Sequence, residues 1–394
     1  MPAQKPVILD PLSGVQSGRP GTTSFVLGLP DPAMFPVTEL QEAAGRVLRG
    51  NGAVALQYAP EQGYGRLIDY LIAKWQHDEG KTISRENVTL AYGSTDAVSM
   101  TSLLLARPGD TILVEAPSYR DTLHLFRDQG LELVQIPVDE QGLRTDVLEQ
   151  TLQQMSWQGV RPRFLYTVPT FQNPSGATLS LSRRAEVLRL AETFDFRVLA
   201  DDVYRDLYYE TEVPPALGAL DPSGARVITV GSFSKVLAAG LRLGWVIASP
   251  AIISALYDGG ARAMGGGANP LVSHIVAEFC QDGRLERHVT ALRGTYGRRR
   301  DVMLAALESR MPDSVSWSKP AGGYFVWLTL APGLAASGIV RVADERGVTC
   351  LAGPAFYAAG GGEDCIRLAF SYVPEDQIEA GIALLAEVIR EAAA

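Results

Sequence analysis

Cysteine and histidine are scarce in this 394-residue chain, with three of the first and four of the second. Cys280, Cys350 and Cys365 are odd in number and far apart, which argues against a disulfide framework and fits a reduced, cytoplasmic protein. His77, His124, His274 and His288 are equally scattered, and no pair has metal-ligand spacing, so no metal site is expected. Positive charge is also short: 35 Lys plus Arg face 44 Asp plus Glu, for a formal net charge of -9. Without clustered cations, neither nucleic acid nor an anionic membrane is an expected partner. The one basic triplet, Arg298-Arg299-Arg300, follows a helix-like stretch and reads as a cap or a solvated face. No apolar run approaches the roughly 18 residues of a membrane span. The N-terminal Met1-Pro2-Ala3-Gln4-Lys5-Pro6 lacks the basic and apolar blocks of a signal peptide.

What is present is core-forming material, since 46% of the residues are hydrophobic. A chain of this length is expected to hold two or three domains. Short apolar runs at 88–92, 111–115, 131–136, 163–168, 197–201, 226–231 and 243–248 alternate with helical-period segments. That alternation reads as α/β, with seven strands in one large, mainly parallel sheet covered by helices on both faces. Helices are expected over 94–106, ended by Pro108-Gly109, and over 182–195, with Ser182 as N-cap. From about 270 a long charged helical stretch runs to about 310, followed by short strands near 324–329 and 365–370. This marks a smaller α+β domain, closed by a helix whose Ile378, Ile382, Leu385 and Ile389 share one face. The Gly- and Pro-rich first 45 residues read as an extended arm, giving expected units of 1–45, 46–289 and 290–394.

Ligands of open α/β sheets bind outside the carboxyl ends of the strands, and four of these ends carry unusual chemistry. Gly93-Ser94-Thr95-Asp96 opens a helix whose free N–H groups favour an anion. Pro169-Thr170-Phe171-Gln172-Asn173-Pro174 follows the strand at 163–168. The strand at 197–201 ends in Asp201-Asp202-Val203-Tyr204, and that at 226–231 runs into Ser232-Phe233-Ser234-Lys235, with Arg242 beyond it. Taken singly, each has a plainer reading: Lys235 as a solvated loop residue, Asp201 or Asp202 as a turn former, Asn173-Pro174 as a turn, Arg242 in a surface ion pair. Taken together they fit one ligand. Ser94, Thr95, Ser232 and Arg242 suit a phosphate, Asp201 a cationic ring nitrogen, Asn173 and Tyr204 a phenolate, and Lys235 an aldehyde with which an amine condenses. That ligand is pyridoxal 5′-phosphate.

In this order and spacing, Asn173-Pro174, Asp201-x-x-Tyr204, Ser232-x-Ser-Lys235 and Arg242-x-Gly-Trp245 resemble the class I/II aminotransferases of pyridoxal-phosphate fold type I. The likeness covers nearly the whole chain. Gly28-Leu29-Pro30-Asp31-Pro32, Tyr58 with Gly63, Glu115-Ala116-Pro117-Ser118-Tyr119 and Gly322-Gly323-Tyr324-Phe325 resemble most the 2-aminoadipate and kynurenine aminotransferase branch. The resemblance implies transamination between an α-amino acid and a 2-oxo acid, with Lys235, Asp201 and Tyr204 catalytic. It further implies that Gly93, Ser94, Thr95, Tyr119, Asn173, Ser232, Ser234 and Arg242 bind the cofactor. Arg367, which on strand spacing alone would be an exposed arginine, becomes the fork for the substrate α-carboxylate, with Asn173 beside it. Arg19 and Tyr64 are further candidate substrate contacts. Tyr58 is implied to reach the neighbouring subunit's phosphate, making a homodimer with shared sites.

Because cofactor motifs do not fix which bond breaks, a decarboxylase, lyase or oxoamine synthase on the same scaffold is the alternative. The same branch supplies the effector domain of MocR-type regulators, but a helix-turn-helix module before residue 30 is not expected in this sequence. Gly265-Gly266-Gly267 stands where bulkier residues are expected, and is read as loosening or enlarging one wall of the site.

Overall fold

The computed structural model describes residues 21–210 and 213–393. Strand β1 (Thr23–Ser24) lies apart from an eight-stranded sheet built from β2 (Val88–Ala91), β3 (Thr111–Ala116), β4 (Glu132–Asp139), β5 (Gly142–Leu143), β6 (Phe164–Thr167), β7 (Arg197–Asp201), β8 (Val227–Ser232) and β9 (Gly244–Ile247). The order is β2-β9-β8-β7-β6-β3-β4-β5. All seven expected strands are present. The eighth, β5, has two residues, too few to leave a periodic signal in sequence. From β4 through β3, β6 and β7 to β8 neighbours run parallel, whereas β9 is antiparallel to both β8 and β2. Every residue of β2, β6 and β8 is buried, as expected of strands covered on both faces.

Helices α1 (Val37–Ala55), α2 (Gly65–Glu79), α3 (Gly93–Leu105), α4 (Arg120–Asp128), α5 (Thr145–Trp157) and α6 (Leu181–Thr193) connect or flank these strands. The expected extended arm therefore gives way to helix at Val37, once the prolines have ended, and α1 packs on the Pro270–Phe279 helix. Ser180, not Ser182, holds the N-cap position of α6, and the helix stops before Asp195, whose φ is 52°. Along the chain β3 is followed by β4 on one side and by β6, β7 and β8 on the other. The winding thus reverses between β3 and β6, where the carboxyl ends of an open α/β sheet leave a crevice.

The second unit is a four-stranded antiparallel sheet of β10 (Ser316–Trp317), β11 (Phe325–Thr329), β13 (Leu351–Ala352) and β14 (Cys365–Ala369), in the order β10-β11-β14-β13. The expected helical stretch from 270 to 310 is two helices, Pro270–Phe279 and Arg284–Arg310, parted where Asp282 and Gly283 turn left-handed at φ 59° and 69°. The closing helix, Glu375–Ala393, buries Ile378, Ile382, Leu385 and Ile389 as one face and packs on the Arg284–Arg310 helix. The basic triplet is not a solvated cap. Arg298 is on the surface, but Arg299 is buried against Asp31 at 2.5 Å and the Ser371 carbonyl, and Arg300 is buried against Glu210 and the Pro320 carbonyl. A helix that crosses between two units turns one side inward, and periodicity alone did not say which. β1 pairs in parallel with β12 (Val348–Thr349), which ties the N-terminal segment to the second unit. No helix among the described residues is long and apolar enough to cross a membrane.

Candidate active site

A cavity of about 340 Å³ opens at the winding reversal, between the carboxyl ends of β3, β6, β7 and β8 and the second sheet. Lys235 is its only lysine among the described residues. The amine is half-buried beyond the end of β8, with Nζ 3.3 Å from the Gly28 carbonyl oxygen and about equally far from the Tyr204 and Tyr324 rings, at 5.6 and 5.7 Å from their centroids. Burial lowers the Lys235 pKa to about 8, with Arg367 and Arg242 pushing the same way and Asp201 opposing.

Asp201 ends β7, facing the cavity. Its Oδ2 accepts a 2.9 Å hydrogen bond from the Tyr166 hydroxyl, and its Oδ1 is buried with no hydrogen-bond partner among the described residues. Burial raises its pKa to about 6 against that hydrogen bond, with the Asp202 charge adding to the rise. Asp202 faces away, because successive strand-end residues point to opposite sides of the sheet. It lines a separate cavity with Trp75 and Thr229 and lies 3.9 Å from Arg205.

Arg367 is central in β14, where both faces are buried, and is itself 5% exposed; it is not the solvent-facing arginine that spacing alone predicts. The second sheet turns that side of β14 onto the cavity. Nη1 donates to Asn173 Oδ1 at 3.2 Å and Nη2 to the Val26 carbonyl at 2.5 Å, while Nε has no partner among the described residues. The guanidinium lies 4.6 and 5.0 Å from the Phe325 and Phe356 ring centres, and burial lowers its pKa to about 10. Tyr204 is buried beside it, and burial raises the phenol's pKa, opposed by Arg367 and by a hydrogen bond to Asn173. Tyr119 also lines the cavity, its hydroxyl donating to Asp121 Oδ2 at 2.9 Å.

Ser94 and Thr95 start α3 with their backbone N–H groups unclaimed by the helix, beside Ser234 and Arg242. Arg242 Nη1 donates to Ser234 Oγ at 3.4 Å, and Ser232 Oγ accepts from the Ser234 N–H at 3.0 Å. Gly93 has φ 83°, and a Cβ there would lie 2.7 Å from Arg242 Nη2, so only glycine admits the arginine so close. This cation over a helix N-terminus is an anion cradle.

The residues present fit pyridoxal phosphate. The unpartnered Asp201 Oδ1 is placed for a protonated ring nitrogen, the cradle for a phosphate and the half-buried Lys235 amine for an aldehyde. Tyr58 and Tyr64 do not line the cavity: Tyr58 is 78% exposed, and Tyr64 stacks on His274 with ring centres 3.6 Å apart. Arg19 lies outside the described residues. The glycine run does not widen the cavity. Gly266 and Gly267 press on the loop after Tyr58, where added Cβ atoms would lie 2.3 Å from the Ala59 oxygen and 2.2 Å from the Pro60 oxygen.

Two buried groups lie behind the site: Glu115, which the sequence shows only as part of the branch motif, and Tyr166, to which it gives no role. Glu115, the penultimate residue of β3, accepts hydrogen bonds from Thr167 Oγ1, the Val168 N–H at 3.1 Å and Gln172 Nε2 at 3.0 Å. Gln172 Nε2 also donates to the Pro117 carbonyl at 2.6 Å, so this cluster ties the loop bearing Tyr119 to the loop bearing Asn173. Burial raises the Glu115 pKa to about 7. A carboxylate next to the end of a mostly apolar strand was the available signal. Tyr166, mid-strand in β6, gave none.

The family Aminotransferase class I and II matches residues 26–385. The chain is 39% identical to aromatic-amino-acid aminotransferase 1 of Thermococcus litoralis, covering 93% of this chain and 88% of that protein. It is 36% identical to the 2-aminoadipate transaminase of Thermus thermophilus, over 94% of this chain and 91% of that one. Among solved structures, the kynurenine aminotransferase of Pyrococcus horikoshii, in complex with PMP, superposes with a TM-score of 0.90 at 36% identity, covering 94% of this chain and 91% of the other. With its α/β fold and a cavity fitted to the cofactor, the chain belongs to the class I and II aminotransferases and is a pyridoxal-phosphate-dependent transaminase of the 2-aminoadipate and kynurenine branch.

Proposed function

We propose that Lys235 carries the proton, Asp201 partners the ring nitrogen, Tyr204 and Asn173 partner the phenolate, and Arg367 holds the substrate α-carboxylate. The observation that carries these roles is one cavity holding a half-buried amine and a buried carboxylate with an unclaimed oxygen. Bound pyridoxal phosphate supplies the electron sink that makes the Cα–H of an amino acid acidic. Lys235 Nζ takes that proton and holds it for return, and its lowered pKa leaves a substantial neutral fraction near pH 8. Arg367 can trade the Asn173 and Val26 oxygens for a carboxylate held by two parallel hydrogen bonds. Leu27, Leu29, Leu351 and Phe356 make an apolar wall, which supports a donor with a large apolar or aromatic side chain. In steady-state assays we expect phenylalanine to have a higher kcat/KM than 2-aminoadipate, and Arg367→Lys to raise KM for phenylalanine about 10- to 100-fold, because an ammonium cannot reproduce the fork. A preference for 2-aminoadipate would overturn the apolar-wall reading, and an unchanged KM in Arg367→Lys would make that arginine structural.

We further propose a cytoplasmic homodimer with shared sites. All three cysteines are buried and free, in keeping with a reducing compartment. Val54, Leu56, Tyr58 and Met264 are exposed around the loop that Gly266 and Gly267 support, an apolar area suited to a second copy of the chain. Tyr58 would then serve the phosphate of the neighbouring site. Mixing Lys235→Ala subunits with Tyr58→Ala subunits tests this, since crossing gives each heterodimer one intact site and one doubly damaged site. The mixture should then exceed both parents in activity. A mixture no more active than the sum of the parents, with subunit exchange verified, would refute crossing.

A further inference from the structure

We propose that Tyr166 is a positioning residue for the electron sink: its hydroxyl keeps Asp201 an anion and leaves Oδ1 for the cofactor ring nitrogen. The inference rests on the role of Asp201 given above. Tyr166 pairs with Leu199 across the parallel β6–β7 ladder, so Asp201, two residues on, is its diagonal neighbour on the same face. The hydroxyl crosses to Asp201 Oδ2 at 2.9 Å, with both groups buried. The ring is fixed from the helix side by Phe126, edge-on at 5.3 Å and 77°. The hydroxyl oxygen also lies 3.3 Å from Thr122 Oγ1, one turn into α4.

A phenol has one hydrogen. Asp201 as an anion can only accept, so Tyr166 gives its hydrogen to Oδ2, and Thr122 must be the donor in the remaining contact. The relay thus runs Thr122 to Tyr166 to Asp201, each step polarising the next toward the carboxylate. Burial, followed by the Asp201 charge, pushes the phenol's pKa well above its ordinary value, so it stays a donor throughout the working pH range. Asp201 has no other hydrogen-bond donor among the described residues, and its second oxygen has none.

The relay matters because a proton shared between Asp201 and the ring nitrogen goes to the stronger base. One strong hydrogen bond on Oδ2 makes the carboxylate the weaker base and leaves the proton, and hence the positive charge, on the ring. Without it, Asp201 becomes more basic and takes the proton, and the ring loses its power as a sink.

The test is Tyr166→Phe, which removes one oxygen and keeps the ring that packs on Phe126. NMR of holoenzyme carrying cofactor labelled at its ring nitrogen should show the signal move from protonated toward unprotonated. The pH at which the absorbance of the lysine-bound cofactor titrates should rise, because the ring cation that favours proton loss at the lysine linkage is gone. Turnover should fall about 10- to 100-fold with a smaller change in KM. Thr122→Val should move the same two signals in the same direction by less, and it decides the matter if Tyr166→Phe fails to fold by circular dichroism. Nitrogen signal and titration unchanged in the folded variants would overturn the proposal. Asp201→Asn is the control: if it too leaves the nitrogen signal unmoved, the assignment of Asp201 falls, whereas movement there but not in the relay variants removes Tyr166 alone.

Discussion

Replacing Lys235 by alanine should lower single-turnover transamination by at least the roughly 10²- to 10⁴-fold that a positioned general base contributes. Among the described residues no other lysine lines the cavity to take over as base. The variant should still bind pyridoxal phosphate, because Arg242, the start of α3 and Asp201 are separate from the lysine and act on the phosphate and ring. Borohydride reduction of the wild-type holoenzyme should fix the cofactor on the peptide containing Lys235, and a label on another lysine would refute the assignment. The pH dependence has a definite sign. With its pKa lowered to about 8, the Lys235 amine is charged below that pH and neutral above it. Capture of the cofactor by apoenzyme should therefore speed up as pH rises through about 8, well below the ordinary lysine value near 10.4. Transamination by Lys235→Ala at the wild-type rate would end its role as base.

The second large effect is expected at Asp201. Asp201→Asn fills the same space and can accept from Tyr166, but it cannot balance a positive ring. A shift from the ordinary aspartate value near 3.9 to about 6 corresponds to about 3 kcal/mol of strain in the buried anion, which a cation at Oδ1 relieves. Losing that interaction should slow the chemical step about 10²-fold or more, with a smaller loss of cofactor affinity, measured by single turnover and by titration of apoenzyme. Asp202→Asn should do far less, since its carboxylate faces the other side of the sheet toward Arg205. Acid should mimic the Asp201 variant: in apoenzyme the group is protonated below about pH 6, so affinity for the cofactor should fall as pH drops through that value. A larger effect at Asp202 than at Asp201 would show that the wrong carboxylate has been assigned.

These two carboxylates illustrate how much a sequence carries. Asp201 and Asp202 are neighbours of one type at the end of one strand, and the preference for Asp201 came from the spacing to Tyr204 in a family pattern. The fold separates them by a simpler cause, the alternation of side chains across a sheet. The strands themselves were legible because residues buried on both faces must be apolar, and β5 was not, because two residues have no period. Lys235 and the start of α3 were legible because each closely follows a strand, and Arg242 because it precedes β9, whose amino end lies at the edge where antiparallel β8 ends.

The α/β class, the strand-end residues and the cofactor that their combined chemistry requires were thus legible along the chain, since these depend on local order. What depends on distant segments meeting emerged with the fold. Arg367 is buried over Asn173 because β14 closes on the β6 loop, and Arg299 is buried because the Arg284–Arg310 helix meets Asp31. Gly266 and Gly267 serve the Tyr58 loop because two backbones approach too closely there for any Cβ. Tyr166 reads as ordinary core in β6, and becomes a partner of Asp201 only when β6 and β7 lie side by side and bring two buried polar groups within 2.9 Å. A polar atom sealed from water must find its partner across the fold, and one-dimensional spacing does not record which atom that will be.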